Sequence, residues 1–295
     1  MRVTSAQVYR SQLRHLRRTG TGAARAQEIA ASGRRLLNPS DDPVGASRSL
    51  RLRGMRGDVE TARSKIDTVT RELGFADGAL GSMTDVLSRA KELAVQLSNV
   101  VPNAANRAAG AVAVDALRDE IIALGNTEVS GRRLFAGSQV GADAFDAAGV
   151  YQGDAAVVSM GIYTTSTVQV TLDGSDVLGG TGGGPDILQS LENLSVALST
   201  NNIAGVQGEL EPLGQGIEWL SQQRALIGSR MALVGNLDDH LANLEVGLVD
   251  EQSTVEDADV IEAYSELVRT KGAFEAALQV TSAARTTDVF QLLGL

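Results

Sequence analysis

Few residues in this chain have the type and spacing to do chemistry, and most of those are better placed for structure. Asp41 and Asp42 stand together in NPSDDPVGAS, Asn38 to Ser47. Paired carboxylates hold hard cations when further oxygen ligands follow at regular spacing, and none follow here. Instead Asn38-Pro39 opens a turn, Asp42 can accept backbone N–H bonds as a helix N-cap, and Pro43 takes the first helical position, where its missing N–H costs nothing. His15 and His240 each sit alone on a charged helical stretch, whereas acid–base work needs a partner within hydrogen-bond reach. Ser88-Arg89-Ala90-Lys91 has the S-x-x-K spacing of penicillin-binding enzymes without their S-D-N and K-T-G companions. GGTGGGPD at 179–186 puts Pro185 where a phosphate-binding loop requires glycine, and reads as a flexible connector into a helix at Ile187. Trp219, beside an apolar seam, reads as a packing residue. No catalytic, cofactor-binding or metal-ligating set is expected, and the chain is read as non-enzymatic.

Composition narrows the classes further. The chain has 295 residues, 43% of them hydrophobic, only 3% aromatic and none cysteine. Apolar burial must therefore come from Leu, Val, Ile and Ala, which suits helix-on-helix seams, and disulfide or thiolate chemistry is absent. The net charge of −10 argues against general nucleic-acid binding, yet residues 1–56 hold 12 Arg, no Lys and three acids, a net of +9 that leaves −19 for the remainder. On composition alone this basic start also fits a mitochondrial transit peptide or a nucleic-acid arm. No apolar signal-peptide core lies near Met1 and no long uncharged apolar run occurs, so neither a cleavable secretory signal nor a membrane span is expected.

The elements that must carry these residues are long helices. Leu52, Met55, Val59, Ala62, Ile66, Val69, Leu73, Ala76, Leu80, Met83, Leu87, Ala90, Ala94 and Leu97 recur at alternating spacings of three and four, a heptad seam on one helix from Pro43 to Asn99, roughly 85 Å long at 1.5 Å per residue. Gly54, Gly57, Gly74, Gly78 and Gly81 either weaken it or admit a close neighbour. A helix at about Ala104–Leu124 turns back. Residues 126–185 are glycine-rich with β-branched runs, ending in the turn signal Asp173-Gly174. A second seam follows at Leu210, Leu213, Ile217, Leu220, Arg224, Ile227, Met231, Val234, Asp238, Leu241, Glu245 and Leu248, nine of 12 apolar. A last amphipathic helix carries Val260, Ile261, Tyr264, Leu267, Val268, Phe274, Ala277 and Leu278, and a weaker stripe at the start reads Ala6, Tyr9, Leu13, Leu16, Ala23 and Ala30. Two such terminal helices are marginal alone, so their partners are each other and the same helices of neighbouring copies. The expected fold is mainly α: a long antiparallel coiled-coil rod with a small β-rich insert and mobile terminal helices. Its divisions are a terminal helix at 1–41, rod helices at 42–125, the insert at 126–186, rod helices at 187–250 and a second terminal helix at 251–295.

The punctuation between these elements resembles that of the flagellin family of bacterial axial proteins. SGRRLLNPSDDPVGAS at 32–47 resembles its N-terminal turn, RAKELAVQLSN at 89–99 the end of its first rod helix, and VEDADVIEAYSELVRTK at 255–271 its C-terminal turn and helix. NPSDDP in place of a proline-free Asp-Asp-Ala-Ala turn, RRLFAGS at 132–138 followed by AF, and YQGD at 151–154 look most like the branch at the hook–filament junction, with a short filament flagellin as the alternative. The closing LLGL agrees with the family. The arm carries more Arg and more Gly, at Gly20 and Gly22, than the family pattern. A non-flagellar helical adaptor or enzyme is the distant alternative. The resemblance implies a flagellin-like fold and an extracellular structural subunit, exported unfolded by the flagellar type III apparatus without a cleavable signal. Its implied partners are copies of itself in a ring, the first hook-associated protein, flagellin and an export chaperone, with no cofactor, nucleic acid or membrane insertion. Turn and assembly roles then fall to Asn38, Pro39, Asp41, Asp42, Pro43, Glu256, Asp257 and Asp259, with Asp41 outside the cap and available to a neighbouring subunit. The terminal-helix interface falls to Tyr9, Leu13, Leu16, Val260, Tyr264, Leu267, Phe274 and Leu278.

Overall fold

The computed structural model describes residues 5–99, 102–129, 131–139, 141–154, 156–164, 166–180 and 183–293, with their side chains except at 5, 6, 8, 9 and 284–293. In chain order the elements are α1 (Ser5–Ser32), α2 (Pro43–Leu97), α3 (Ala104–Gly125), β1 (Glu128–Val129), β2 (Arg132–Arg133), β3 (Ser159–Tyr163), β4 (Ser166–Gln169), α4 (Gly174–Val177), α5 (Ile187–Ser199), α6 (Ile203–Gly208), α7 (Leu210–Glu256) and α8 (Val260–Leu293). The fold is mainly α. Its contacts separate into two compact units, Asp58–Asn243 and a second made of Met1–Gly57 with Leu244–Leu295.

In the Asp58–Asn243 unit, α2 and α7 run antiparallel. Arg63 meets Asp238 at 3.0 Å and Arg224 meets Asp77 at 2.9 Å, while Gly216 leaves room for Leu87. Every seam position of α2 from Val59 to Leu97 is buried. On α7 the buried apolar side chains of this unit recur at every seventh residue: Leu213, Leu220, Ile227, Val234 and Leu241. The intervening seam positions flank the interface, and there Arg224 and Asp238 reach across to opposite charges on α2. Two of the three polar breaks in the second seam, Arg224 and Asp238, are therefore cross-helix ion pairs. Of the five α2 glycines singled out in the sequence, a side chain at Gly54, Gly57, Gly74 or Gly78 would meet open space, whereas one at Gly81 would meet the Arg224 guanidinium at 3.6 Å. Close approach is needed instead at Gly110 of α3, which Leu97 overlies. Buried Arg107 donates to Asn99 O at 3.1 Å and Leu97 O at 3.4 Å, satisfying carbonyls at and just past the end of α2, where a helix runs out of donors.

The insert consists of two antiparallel pairs, β1–β2 and β3–β4. RRLFAGS and YQGD, distant in sequence, are each other's partners. The Tyr151 hydroxyl lies 3.0 Å from Phe135 O and 2.8 Å from Asp154 O. Asp154 accepts from the Ser138 hydroxyl at 2.5 Å and the Ser138 N–H at 2.7 Å, which holds its carboxyl below the usual range. Gly137 has φ +72° with the Asp154 backbone against its α-carbon, so a side chain there is excluded twice. Asp173-Gly174 is not a hairpin turn: Asp173 caps α4 through the Ser175 N–H at 2.9 Å. The β3–β4 reversal lies at Tyr163–Ser166, with Thr164 at φ +42°. Trp219 packs over Gly184 and donates its indole N–H to Asp176 O at 3.0 Å. The glycine connector is thus fixed at its far end, where Asp186 caps α5.

In the smaller unit α1 packs along α8. Leu52, Leu248 and Val255 are buried there, whereas Met55, the one exception in the first seam, is 38% exposed.

Candidate assembly site

The site lies where the chain leaves α1 for α2 and leaves α7 for α8. Gly33 turns out of α1 with φ +68°, and the strand-like residues after it pair with those after α7. Arg34 and Asp257 form an antiparallel bridge, the Arg35 N–H donates to Glu256 O at 2.8 Å, and the Ala258 N–H donates to Gly33 O at 2.9 Å. The two connections therefore satisfy each other's backbone.

Glu256 joins both to α2. It is only 3% exposed. One carboxylate oxygen accepts from the Ser49 hydroxyl at 2.5 Å, Arg53 at 2.8 and 3.0 Å, and the Gln252 amide at 2.8 Å. The Arg34 guanidinium stands 3.9 Å from the other. These donors favour the charged form over the cost of burial, Arg53 most of all, and hold the carboxyl down at about 2.

The turn residues divide the work of starting the helices. Asp42 accepts the Gly45 N–H at 2.9 Å, the geometry of an N-cap on α2, and its other oxygen lies 3.5 Å from Arg35. Pro43 begins the helix. Asp41 is engaged inside the chain, accepting the Asn38 N–H at 3.1 Å and pairing with Arg25 at 3.1 Å, so its carboxylate closes the Asn38-Pro39 turn onto α1 instead of standing free for a neighbour. Asp257 accepts the Ser253 hydroxyl at 2.6 Å. Asp259 caps α8 through the Ile261 N–H at 2.8 Å and the Glu262 N–H at 3.2 Å. No group of three or more metal-ligating side chains occurs among the described residues.

Of the terminal-helix residues, Leu13, Leu16, Leu267 and Phe274 are half-buried, Gly20 lying against the Phe274 ring. Val260, Tyr264 and Leu278 are exposed. The covered stripe of α8 runs Ala263, Leu267, Thr270, Phe274, Ala277 and Thr281, so part of the apolar pattern read from sequence faces outward. Ala6, Tyr9 and the closing LLGL lie outside the described side chains. His15 and His240 are exposed, and the Ser88 hydroxyl is spent on Thr84 O at 2.8 Å.

Sequence comparison places both halves of this joint in known regions. The model of the bacterial flagellin N-terminal helical region matches residues 3–140, and that of the bacterial flagellin C-terminal helical region matches residues 210–293. The chain belongs to the bacterial flagellin family. In flagellin terms, Asp41, Asp42, Ser49 and Arg53 come from the N-terminal region, Glu256 and Asp259 from the C-terminal one, and β3, β4, α4, α5 and α6 lie in the stretch between. The flagellar hook-associated protein 3 of Salmonella typhimurium is 23% identical over 99% of each chain, and the flagellin of Bacillus subtilis is 25% identical over 95% of this chain and 96% of its own. Among solved structures, a putative flagellar hook-associated protein from Vibrio parahaemolyticus has a TM-score of 0.69 at 18% identity, covering 74% of this chain and 100% of that one. The flagellar junction protein FlgL of Legionella pneumophila has a TM-score of 0.59 at 14% identity, covering 72% and 100%.

Proposed function

We propose that this chain is a structural subunit of the bacterial flagellum, placed at the junction between hook and filament. The observation that carries the reading is the end-to-end alignment with a hook-associated protein 3, insert included, supported by the fold shared with the Legionella junction protein. In this role residues 1–41 and 251–295 act as assembly arms, 42–125 and 187–250 as rod helices, and 126–186 as the insert. The Glu256 joint sets the angle at which the arms leave. Copies of the chain form a ring, with the first hook-associated protein on one side and flagellin on the other. Delivery is by flagellar type III export with a chaperone and an uncleaved signal, to a site outside the cell. No helix among the described residues is long and apolar enough to cross a membrane.

The second reading, a short filament flagellin, draws on the comparable match to the Bacillus subtilis protein. Labelling the protein on intact flagella separates the two. A single spot at the distal end of the hook is expected; label along the filament would establish the flagellin reading instead.

A further inference from the structure

Two exposed faces of the smaller unit carry opposite charges. The first is the start of α2. Residues 43–57 contain Arg48, Arg51, Arg53 and Arg56 and no acid, although Arg53 is held by Glu256 and Arg48 by Glu251 of α7. Val44 and Leu50 stand open at 79% and 73%. Beside them is an open cleft of about 480 Å³, lined by Val44, Arg48, Arg51, Leu52, Met55 and Glu251, the last paired with Arg48, so that Arg51 supplies the positive charge at the cleft. The second face belongs to the first turns of α8. Residues 257–268 contain Asp257, Asp259, Glu262 and Glu266 and no base. Val260, Ile261, Tyr264 and Val268 are all exposed, Ile261 at 81%, and at 100° per residue they fall on the side of α8 that α1 does not use. Apolar side chains grouped in this way mark interaction surfaces, and complementary charge fixes partner and register.

We propose that these faces are the two halves of one interface between copies of this chain: the α8 face of one copy seats on the α2 face of the next, with Tyr264 entering the cleft and Glu262 meeting Arg51. The occupant is a second copy because the chain itself presents both complementary surfaces in exposed form. The halves differ, so the contact is heterologous. Each added copy leaves one α2 face and one α8 face unused, and repetition builds a ring or a helix instead of closing as a two-fold dimer. This deepens the proposed function and rests on its premise that copies assemble with one another.

The test is a charge swap in the full chain, read by sedimentation over a concentration series. Arg51→Glu and Glu262→Arg should each weaken self-association by about tenfold or more, and the double variant should recover most of the loss because the swapped pair attracts again. Tyr264→Ala should weaken association with helix content unchanged. Since the chain has no cysteine, Arg51→Cys and Tyr264→Cys copies should form a disulfide-linked dimer when mixed, and neither should do so alone. A wild-type chain that stays monomeric throughout, a double variant no better than the singles, or a homodimer of either cysteine variant overturns the interface. Labelling on flagella is scored separately: correct placement with a failed swap removes this interface and leaves the junction role, whereas wild-type label away from the hook end removes the junction role itself.

Discussion

Glu256 makes the joint depend on pH in one direction. Its carboxyl sits at about 2 in the folded chain against an ordinary value of 4.5, so the ionised carboxylate contributes stability fully above about 4.5, and that contribution falls away as pH drops toward 2. Melting of the smaller unit should decline through this window. Glu256→Gln should flatten the decline and lower stability at neutral pH by about 2 kcal/mol, the scale of hydrogen bonds to a charged group; an unchanged pH profile in that variant would remove Glu256 as the cause. Asp42 acts by geometry more than by charge. Asp42→Ala should cost about 1 kcal/mol, while Asp42→Asn and Asp42→Ser keep the acceptor for the Gly45 N–H and should be nearly silent. Added Ca²⁺ or Mg²⁺ should leave all these melting curves in place, since a bound ion would stabilise the folded state. The cap was legible because Asp42, Pro43 and Gly45 are neighbours in sequence. The Glu256 cluster was not, because Ser49 and Arg53 lie 207 and 203 residues away and no local pattern announces them.

At the scale of elements, the two long helices show what a two-stranded seam covers. Leu220 is fully buried on α7 and Arg224, one seam position on, is exposed and paired with Asp77. Leu220→Ala should cost about 2–5 kcal/mol, and Arg224→Ala under about 1 kcal/mol because solvent screens the pair; chemical denaturation of the two variants compares them directly. The seam of α2 could be read at once because every position is apolar and all but Met55 are covered. The seam of α7 was legible in its period, but the reason for Arg224 and Asp238 appears only when α2 supplies Asp77 and Arg63. For α8 the apolar stripe is only partly covered by α1. Thr270 and Thr281 lie on its covered side with Leu267 and Phe274, while Val260, Tyr264 and Val268 face out. The insert was legible as β-rich, and the turn signal at Asp173-Gly174 proved to be the cap of α4, since the same residues that close hairpins also cap helices.

For the whole molecule, the two units differ in how much they bury. Among the described residues of α1 and α8, only Ala26 and Ala263 are fully buried apolar side chains, whereas the Asp58–Asn243 unit contains the Phe135, Phe145, Leu80, Leu87 and Leu191 interior. Local opening follows buried contact. Limited proteolysis of the dilute chain should therefore cut first within the smaller unit and leave a fragment close to 58–243; first cuts in α3 or α5 would contradict this. Removing residues 256–295 deletes α8 and the Glu256 carboxylate together, and should abolish assembly while the larger unit still melts cooperatively.

The joint also keeps time. Its donors Ser49 and Arg53 come early in the chain and its acceptor Glu256 comes more than two hundred residues later, with the whole of Asp58–Asn243 between them. A chain emerging amino end first presents the donors long before there is anything for them to hold, and contacts of such separation close last. The smaller unit is thereby the last part of the chain able to close. The Glu256 cluster cannot close on a chain that ends before residue 256, and amide protection at 43–57 should appear after that at 59–97 during refolding.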